Sequence, residues 1–556
     1  MLNQRSKILL VASVCLASLV LGTMFQTEVA KNPITREIIA GVETMFGLNF
    51  SDAKRDSMIS GLGDQLRNYN NIRKVDLSNS IPPAILFNPI PTKFKFDTKR
   101  SKFTMSPVKN VVMPKNLEDL AFYSIPQLAE LLRTKKVTSL QLTQMYLNRI
   151  KRYNPMLKAV ITITEDTALA QAKRADMEIA AGKYRGPLHG IPYGAKDLLA
   201  AKGYKTTWGS VPYKDQVINE DAAVIQKLRD AGAVLIAKTT LGELANGDVW
   251  FGGMTRNPWD TSKGSSGSSA GTASGTAAGL YAFGIGSETW GSIVSPSTVC
   301  GTTGLRPTFG RVSRRGAMAL SWTMDKLGPI CRNVEDCAIV FNAIYGKDPA
   351  DPTTYDAPFS YNARIDVKKL KIGYLKNDFD SMKQNKEFSD SVFVLFQKMG
   401  VELIPVQLPK YPTDDLAIIL TAEAAAAFDD LTHTGKDEMM VLQNKDAWPN
   451  IFRTSRFIPA VEYIQANRIR YRIIQDMQTL MGSVDLYIAP AFQGDNLLMT
   501  NLTGHPCIVL PIGFTEEGLP TSITFMGRLF GEGELLAFAK KYQDATGFHL
   551  KHPKLP

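Results

Sequence analysis

Cysteine and histidine are both scarce in this chain. The five cysteines (Cys15, Cys300, Cys331, Cys337, Cys507) are widely spaced among 556 residues and form no CxxC pair. That spacing excludes a disulfide scaffold and offers no zinc-binding signature. The five histidines (His189, His433, His505, His549, His552) show no metal spacing and no serine-partner pattern, so they read as structural or surface residues. Long runs of one charge are missing too. The net charge of +11 comes from 64 basic and 53 acidic residues scattered along the chain, which argues against a nucleic-acid partner. No internal repeat is evident. What is present is ordinary globular composition, 44% hydrophobic and 21% charged, with length enough for several domains or one large core.

One long uncharged run stands at the N-terminus. Asn3 to Lys7 make a short basic segment, and Ile8 to Phe25 follow as eighteen residues without a charge. This pattern predicts a secretory signal or an uncleaved signal anchor in residues 1–25, with a membrane tether through residues 8–25 as the second form. No clear small-x-small pair precedes Thr27-Glu28, and Cys15 lacks the leucine at minus three of a lipoprotein signal. The expected location is exported: periplasmic, extracellular or membrane-anchored.

Residues 26–112 read as an N-terminal extension, with helices over Thr35–Phe46 and Ser51–Tyr69 and a proline-rich connector over Ile81–Pro91 draped on the main domain. Residues 113–556 alternate between helix and strand periodicity, which predicts an α/β architecture. Thr138-Ser139-Leu140-Gln141 is a capping box opening a helix. Residues 221–232 read as a capped helix ended by Gly232, 233–237 and 484–491 as buried strands, and 508–514 and 522–527 as two more strands.

Three polar side chains occupy informative places. Lys196 lies in the apolar run Gly190-Ile191-Pro192-Tyr193-Gly194-Ala195-Lys196-Asp197, Ser268 in a Gly/Ser tract, and Ser292 in Glu288-Thr289-Trp290-Gly291-Ser292-Ile293. A serine attacks a carbonyl only if something takes its proton, and a neutral lysine can do so. Between Lys263 and Gly279, sixteen of seventeen residues are Gly, Ser, Thr or Ala, with glycines at 267, 271, 275 and 279. That every-fourth spacing predicts a tightly packed helix rather than a linker. The tract is not a phosphate loop, because Ser269-Ala270-Gly271 stands where Gly-Lys-Ser/Thr is needed, and it is not a GxSxG elbow.

The combination resembles the amidase signature family, serine hydrolases with a Ser-Ser-Lys triad. Asn257-Pro258-Trp259-Asp260 begins eleven positions before Ser268, Lys196 stands 72 before it and Ser292 24 after it, and the words Gly301 to Ser313 follow. The resemblance runs from about Leu117 to His552. It implies one large mixed twisted β-sheet covered by helices on both faces, and a catalytic set of Lys196, Ser268 and Ser292. Ser292 would be the nucleophile, Ser268 the proton relay and Lys196 the neutral base, with backbone N–H groups of Thr289, Trp290, Gly291 and Ser292 as the oxyanion hole. Asp197 reads as an orienting or structural carboxylate. Three positions depart from the family's pattern: Trp290 replaces a glycine, Val294 an arginine and Ala270 a glycine. Trp290 predicts an apolar acyl pocket.

The resemblance implies an amidase that hydrolyses a small carboxylic amide to acid plus ammonia or amine through an acyl-enzyme, without metal or organic cofactor. One alternative is the glutaminase-type member of the tRNA-dependent amidotransferase complex. The other is a catalytically dead membrane-tethered binding protein on the same fold. Residues 1–25 argue against the first and the intact Lys-Ser-Ser set against the second.

Overall fold

The computed structural model describes residues 33–556 apart from 76, 100 and 109. The expected signal or anchor in residues 1–25 therefore lies outside the described residues. Among those described, no helix is long and apolar enough to cross a membrane.

The chain divides into two compact units, one ending at Ser78 and the other running from Asn79 to Pro556. The first holds helices α1 (Arg36–Phe46) and α2 (Asp52–Ile72), close to the expected spans. Thr35 caps α1 by accepting from the Ile38 N–H, and the Arg55 guanidinium on α2 pairs with the Glu43 carboxylate at 2.8 Å. The proline-rich connector belongs to the second unit.

That unit is built on an eleven-stranded sheet. Its strands are β1 (Val160–Ile163), β2 (Pro192–Lys196), β3 (Val234–Thr239), β4 (Phe283–Glu288), β5 (Thr303–Arg306), β6 (Lys326–Cys331), β7 (Ile372–Leu375), β8 (Leu403–Val406), β9 (Leu486–Pro490), β10 (Cys507–Phe514) and β11 (Pro520–Gly527). The order across the sheet is β1-β3-β2-β4-β6-β5-β10-β11-β9-β7-β8. It is mixed: β2 runs parallel to β3 and β4, whereas β6 is antiparallel to β4, and β10 to β11. The expected strands at 233–237, 484–491, 508–514 and 522–527 are β3, β9, β10 and β11. β2, β3 and β4 are buried at every residue, as strands sandwiched between helical layers should be.

Helix α3 (Ser139–Leu157) opens on the expected capping box, with the Thr138 hydroxyl and Gln141 side chain each accepting from the other residue's backbone N–H. Helix α4 covers only Ala223–Asp230, and no side chain caps it. The Asp221 carboxylate accepts instead from the Lys202 N–H at 2.8 Å and pairs with Arg229, so the expected cap is spent on a loop and a guanidinium.

The Gly/Ser tract splits where one helix is expected. Asp260–Gly264 is a short strand, a loop follows, and α5 covers only Ala270–Ala277. Gly271 and Gly275 alone of the four glycines lie in it. A Cβ at Gly271 would sit 2.0 Å from the Ala159 carbonyl, and one at Gly275 2.1 Å from the Tyr281 hydroxyl, so the close approach is real but two positions long. α5 packs against β2, β3, β4 and β6, and the next helix, α6 (Val294–Cys300), against α5, β5, β10 and β11.

Candidate active site

In a sheet whose neighbouring strands run parallel, the carboxyl ends lie on one edge, and side chains from different strands meet there. Lys196 is the last residue of β2, and Ser287 and Glu288 end β4 beside it. The loop entering α5 brings Ser268 and Ser269 to the same edge, and the turn between β4 and α6 brings Ser292. The Gly267–Ser268 peptide bond is cis. Two contacts stitch these loops together. The Ser269 hydroxyl accepts from the Ser287 N–H and donates to its carbonyl, and the Ser269 N–H donates to the Ser292 carbonyl at 3.1 Å.

Lys196 has no solvent exposure, and its Nζ lies 2.8 Å from Ser268 Oγ, 2.9 Å from Ser287 Oγ and 3.2 Å from Ser269 Oγ. Burial pushes its pKa well below the ordinary lysine value, and the negative charges of Asp325 and Glu288 recover only part of that shift. A neutral amine has two N–H donors and one lone pair, enough for three hydroxyls with one of them donating to nitrogen. Ser269 and Ser287 were invisible as partners in the sequence, since serine in a Gly/Ser tract or at a strand end carries no spacing signal.

Asp197 faces another way. Its carboxylate accepts from Thr207 and pairs with the buried Lys238 ammonium at 2.6 Å, which agrees with a structural role.

Ser292 follows Gly291, whose φ of +84° suits glycine. The N–H groups of Thr289, Trp290, Gly291 and Ser292 donate to no protein acceptor among the described residues, whereas those of Ile293 and Val294 both donate to Glu288 Oε2, at 2.8 and 2.9 Å. Glu288 thus secures the far side of the turn and leaves the predicted oxyanion donors available. Its other oxygen accepts from Arg306 Nη1 at 2.8 Å and Asn501 Nδ2 at 2.9 Å. Burial alone would raise this carboxyl, but Arg306 and the other donors hold it at about 2. The sequence offered no route to Asn501, which is 213 residues away and meets Glu288 only through the fold.

A carboxyl held below its unfolded-state value adds stability above that value and loses it as acid protonates the folded form. Glu288→Gln should therefore lower the free energy of unfolding at pH 7 by about 3 kcal/mol, read from a denaturant midpoint. Wild type should lose this increment between the ordinary glutamate range and about pH 2. A variant as stable as wild type would show that the clamp is energetically idle.

A cavity of about 320 Å³ reaches this cluster through Ser287 and Thr289. Asp325 joins it to the turn: its carboxylate accepts from the Thr289 hydroxyl at 2.5 Å and from the N–H groups of Leu320 and Ser321. Trp290 does not line this cavity. It is 43% exposed, because the turn points it outward, so the expected contribution to an apolar pocket is not seen there. Val294 and Ala270, the other two departures, are fully buried packing residues. Of the histidines, His189 bonds to the Arg185 N–H and Glu178, and His505 to Thr503.

Fold and site together are those of an α/β protein with a buried lysine–serine cluster at the carboxyl edge of its sheet. The Amidase family profile matches residues 141–497, and the chain belongs to this family, the amidase signature proteins. It is 34% identical to the A subunit of glutamyl-tRNA(Gln) amidotransferase from Thermoanaerobacter pseudethanolicus, over 78% of this chain and 98% of that protein. Its counterpart from Geobacter sp. strain M21 is also 34% identical, over 78% of this chain and 99% of its own. Among solved structures, the peptide amidase of Stenotrophomonas maltophilia is 30% identical with a TM-score of 0.69, covering 77% of this chain and 98% of that one. A bacterial aryl acylamidase shares the fold at 22% identity and a TM-score of 0.69, covering 78% of this chain and 99% of its own.

Proposed function

We propose that this protein is an exported amide hydrolase that works through a serine acyl-enzyme. The observation that carries the reading is the fully buried Lys196 amine 2.8 Å from Ser268 Oγ. Ser292 attacks the amide carbonyl, Ser268 passes the proton of Ser292 toward Lys196, and the N–H groups of residues 289–292 stabilise the developing oxyanion. As the tetrahedral adduct collapses, Ser268 returns a proton to the departing amine nitrogen, and water then releases the acid by the same route reversed. The basic segment and uncharged run of residues 3–25 support export.

A second reading has its own support. The amidotransferase proteins are 34% identical to this chain over nearly their whole length. That reading makes it a glutaminase serving a partner protein. The two differ in what must be present for turnover. Purified protein lacking residues 1–25 should release ammonia from an apolar primary amide with no other protein, ATP or tRNA added. Turnover of glutamine alone, and only with tRNA and a partner protein, would establish the amidotransferase role instead.

A further inference from the structure

The cavity beside the catalytic cluster has one wall from an unexpected place. Pro82, Pro83, Ile85, Leu86 and Phe87, all from the proline-rich connector, line it together with the loop that carries Asp325. This segment is held at its ends. At one end, Asn79 pairs with Ala319 as a strand neighbour would: its Oδ1 accepts from the Ala319 N–H at 2.7 Å and its Nδ2 donates to the Ala319 carbonyl at 2.8 Å. At the other, the Phe87 ring lies 3.6 Å beneath the buried Arg470 guanidinium and edge-on to Phe309 at 5.0 Å. Between these anchors, no N–H of residues 81–87 donates to a protein acceptor among the described residues. The outer side is wet, with Ile85 80% and Leu86 47% exposed. A stretch whose N–H groups from 81 to 87 make no hydrogen bond to the described protein is the kind of wall that yields to a substrate at low cost.

Of the charged groups on the remaining wall, the exposed Glu220 is the one without a side-chain hydrogen bond or ion pair among the described residues, and the basic ones are engaged. Arg314 donates to the Trp322 carbonyl and Thr353, Arg315 pairs with Asp348, and Asp351 accepts from Thr353 and the Arg314 N–H. An amino-acid amide would need free charges of both signs here, whereas an apolar chain needs only the strap's apolar face.

We propose that residues 79–87 form a substrate-selecting strap, and that the cavity beneath it takes the apolar chain of the amide. This rests on the amide-hydrolase reading and adds the class of substrate. The strap reaches the chemistry through a continuous path: Asn79 holds Ala319, the next two N–H groups hold Asp325, and Asp325 holds Thr289 in the turn before Ser292.

The test uses the chain without residues 1–25 and two series of substrates, primary amides of lengthening acyl chain and N-alkyl acetamides of matching length. In one series, wild-type kcat/KM should climb roughly threefold per added methylene until the cavity is full. Leu86→Asp should lower the ratio of eight-carbon to two-carbon kcat/KM by about tenfold, and Leu86→Trp should move the optimum to shorter chains. Asn79→Ala should move the ratio in the same direction as Leu86→Asp. A defect that is only structural lowers all substrates together and leaves the ratio unchanged. An unchanged ratio in all three variants, with wild type showing the gradient, overturns the strap alone. Wild type that shows no length dependence also overturns it, and wild type that hydrolyses no amide in either series overturns the hydrolase reading beneath it.

Discussion

Lys196→Met should abolish turnover without weakening the fold. The amine is fully buried and its pKa is driven well below the ordinary lysine value by desolvation. In the unfolded chain the same amine carries a proton at neutral pH. A lysine whose folded pKa is depressed costs stability at pH 7, because unfolding gains a proton that the native state excludes, and that cost fades as pH rises toward the unfolded value. Methionine removes the cost while keeping most of the packing. The variant should therefore be at least as stable as wild type at pH 7 in urea, and the difference should shrink toward about pH 10. Its kcat should fall by about 10⁴, the scale of a lost general base. In wild type, kcat/KM should drop on the acid side as Lys196 takes up its proton and can no longer accept one from Ser268. Near-normal turnover in Lys196→Met would remove lysine from the mechanism, and a strongly destabilised variant would show that the amine is charged and paired in the native state.

Ser292→Ala should show the largest loss of activity, on the order of 10⁶ in kcat, since the other hydroxyl in this turn, that of Thr289, is committed to Asp325. A fluorophosphonate probe should label wild type on Ser292 and leave the alanine variant unlabelled. Because Ser292 Oγ makes no hydrogen bond among the described residues, its removal should leave the stability within about 0.5 kcal/mol of wild type, read from the denaturant midpoint. Ser268→Ala separates the two serines: it should slow labelling of Ser292 while leaving the site of labelling unchanged. Labelling that persists in Ser292→Ala and disappears in Ser268→Ala would exchange the two roles.

Much of this was readable from residue order, because it depends on local chemistry. The capping box at Thr138 and the buried strands β3, β9, β10 and β11 follow from side chains within a few positions of one another. Lys196, Ser268 and Ser292 were legible as a set because the words around them are long and specific. The Gly/Ser tract was only half legible. Its glycine spacing describes a surface that could pack closely, but what packs there is Ala159 and Tyr281, and the close packing is confined to the helix Ala270–Ala277.

The sequence by itself determined the α/β class, the helix and strand periods, and which three side chains to single out, since each is set by residue type and near neighbours. Only the tertiary structure decided how those side chains are brought together and buried. The lowered pKa of Lys196 comes from strands and loops that exclude water around it, and the aim of the Ser292 turn comes from Glu288 meeting Arg306 and Asn501 across 18 and 213 residues. The outward path of Trp290 and the connector's place over the cavity are likewise long-range. Desolvation and ion pairing depend on what lies nearby in space, and adjacency along the chain does not encode it.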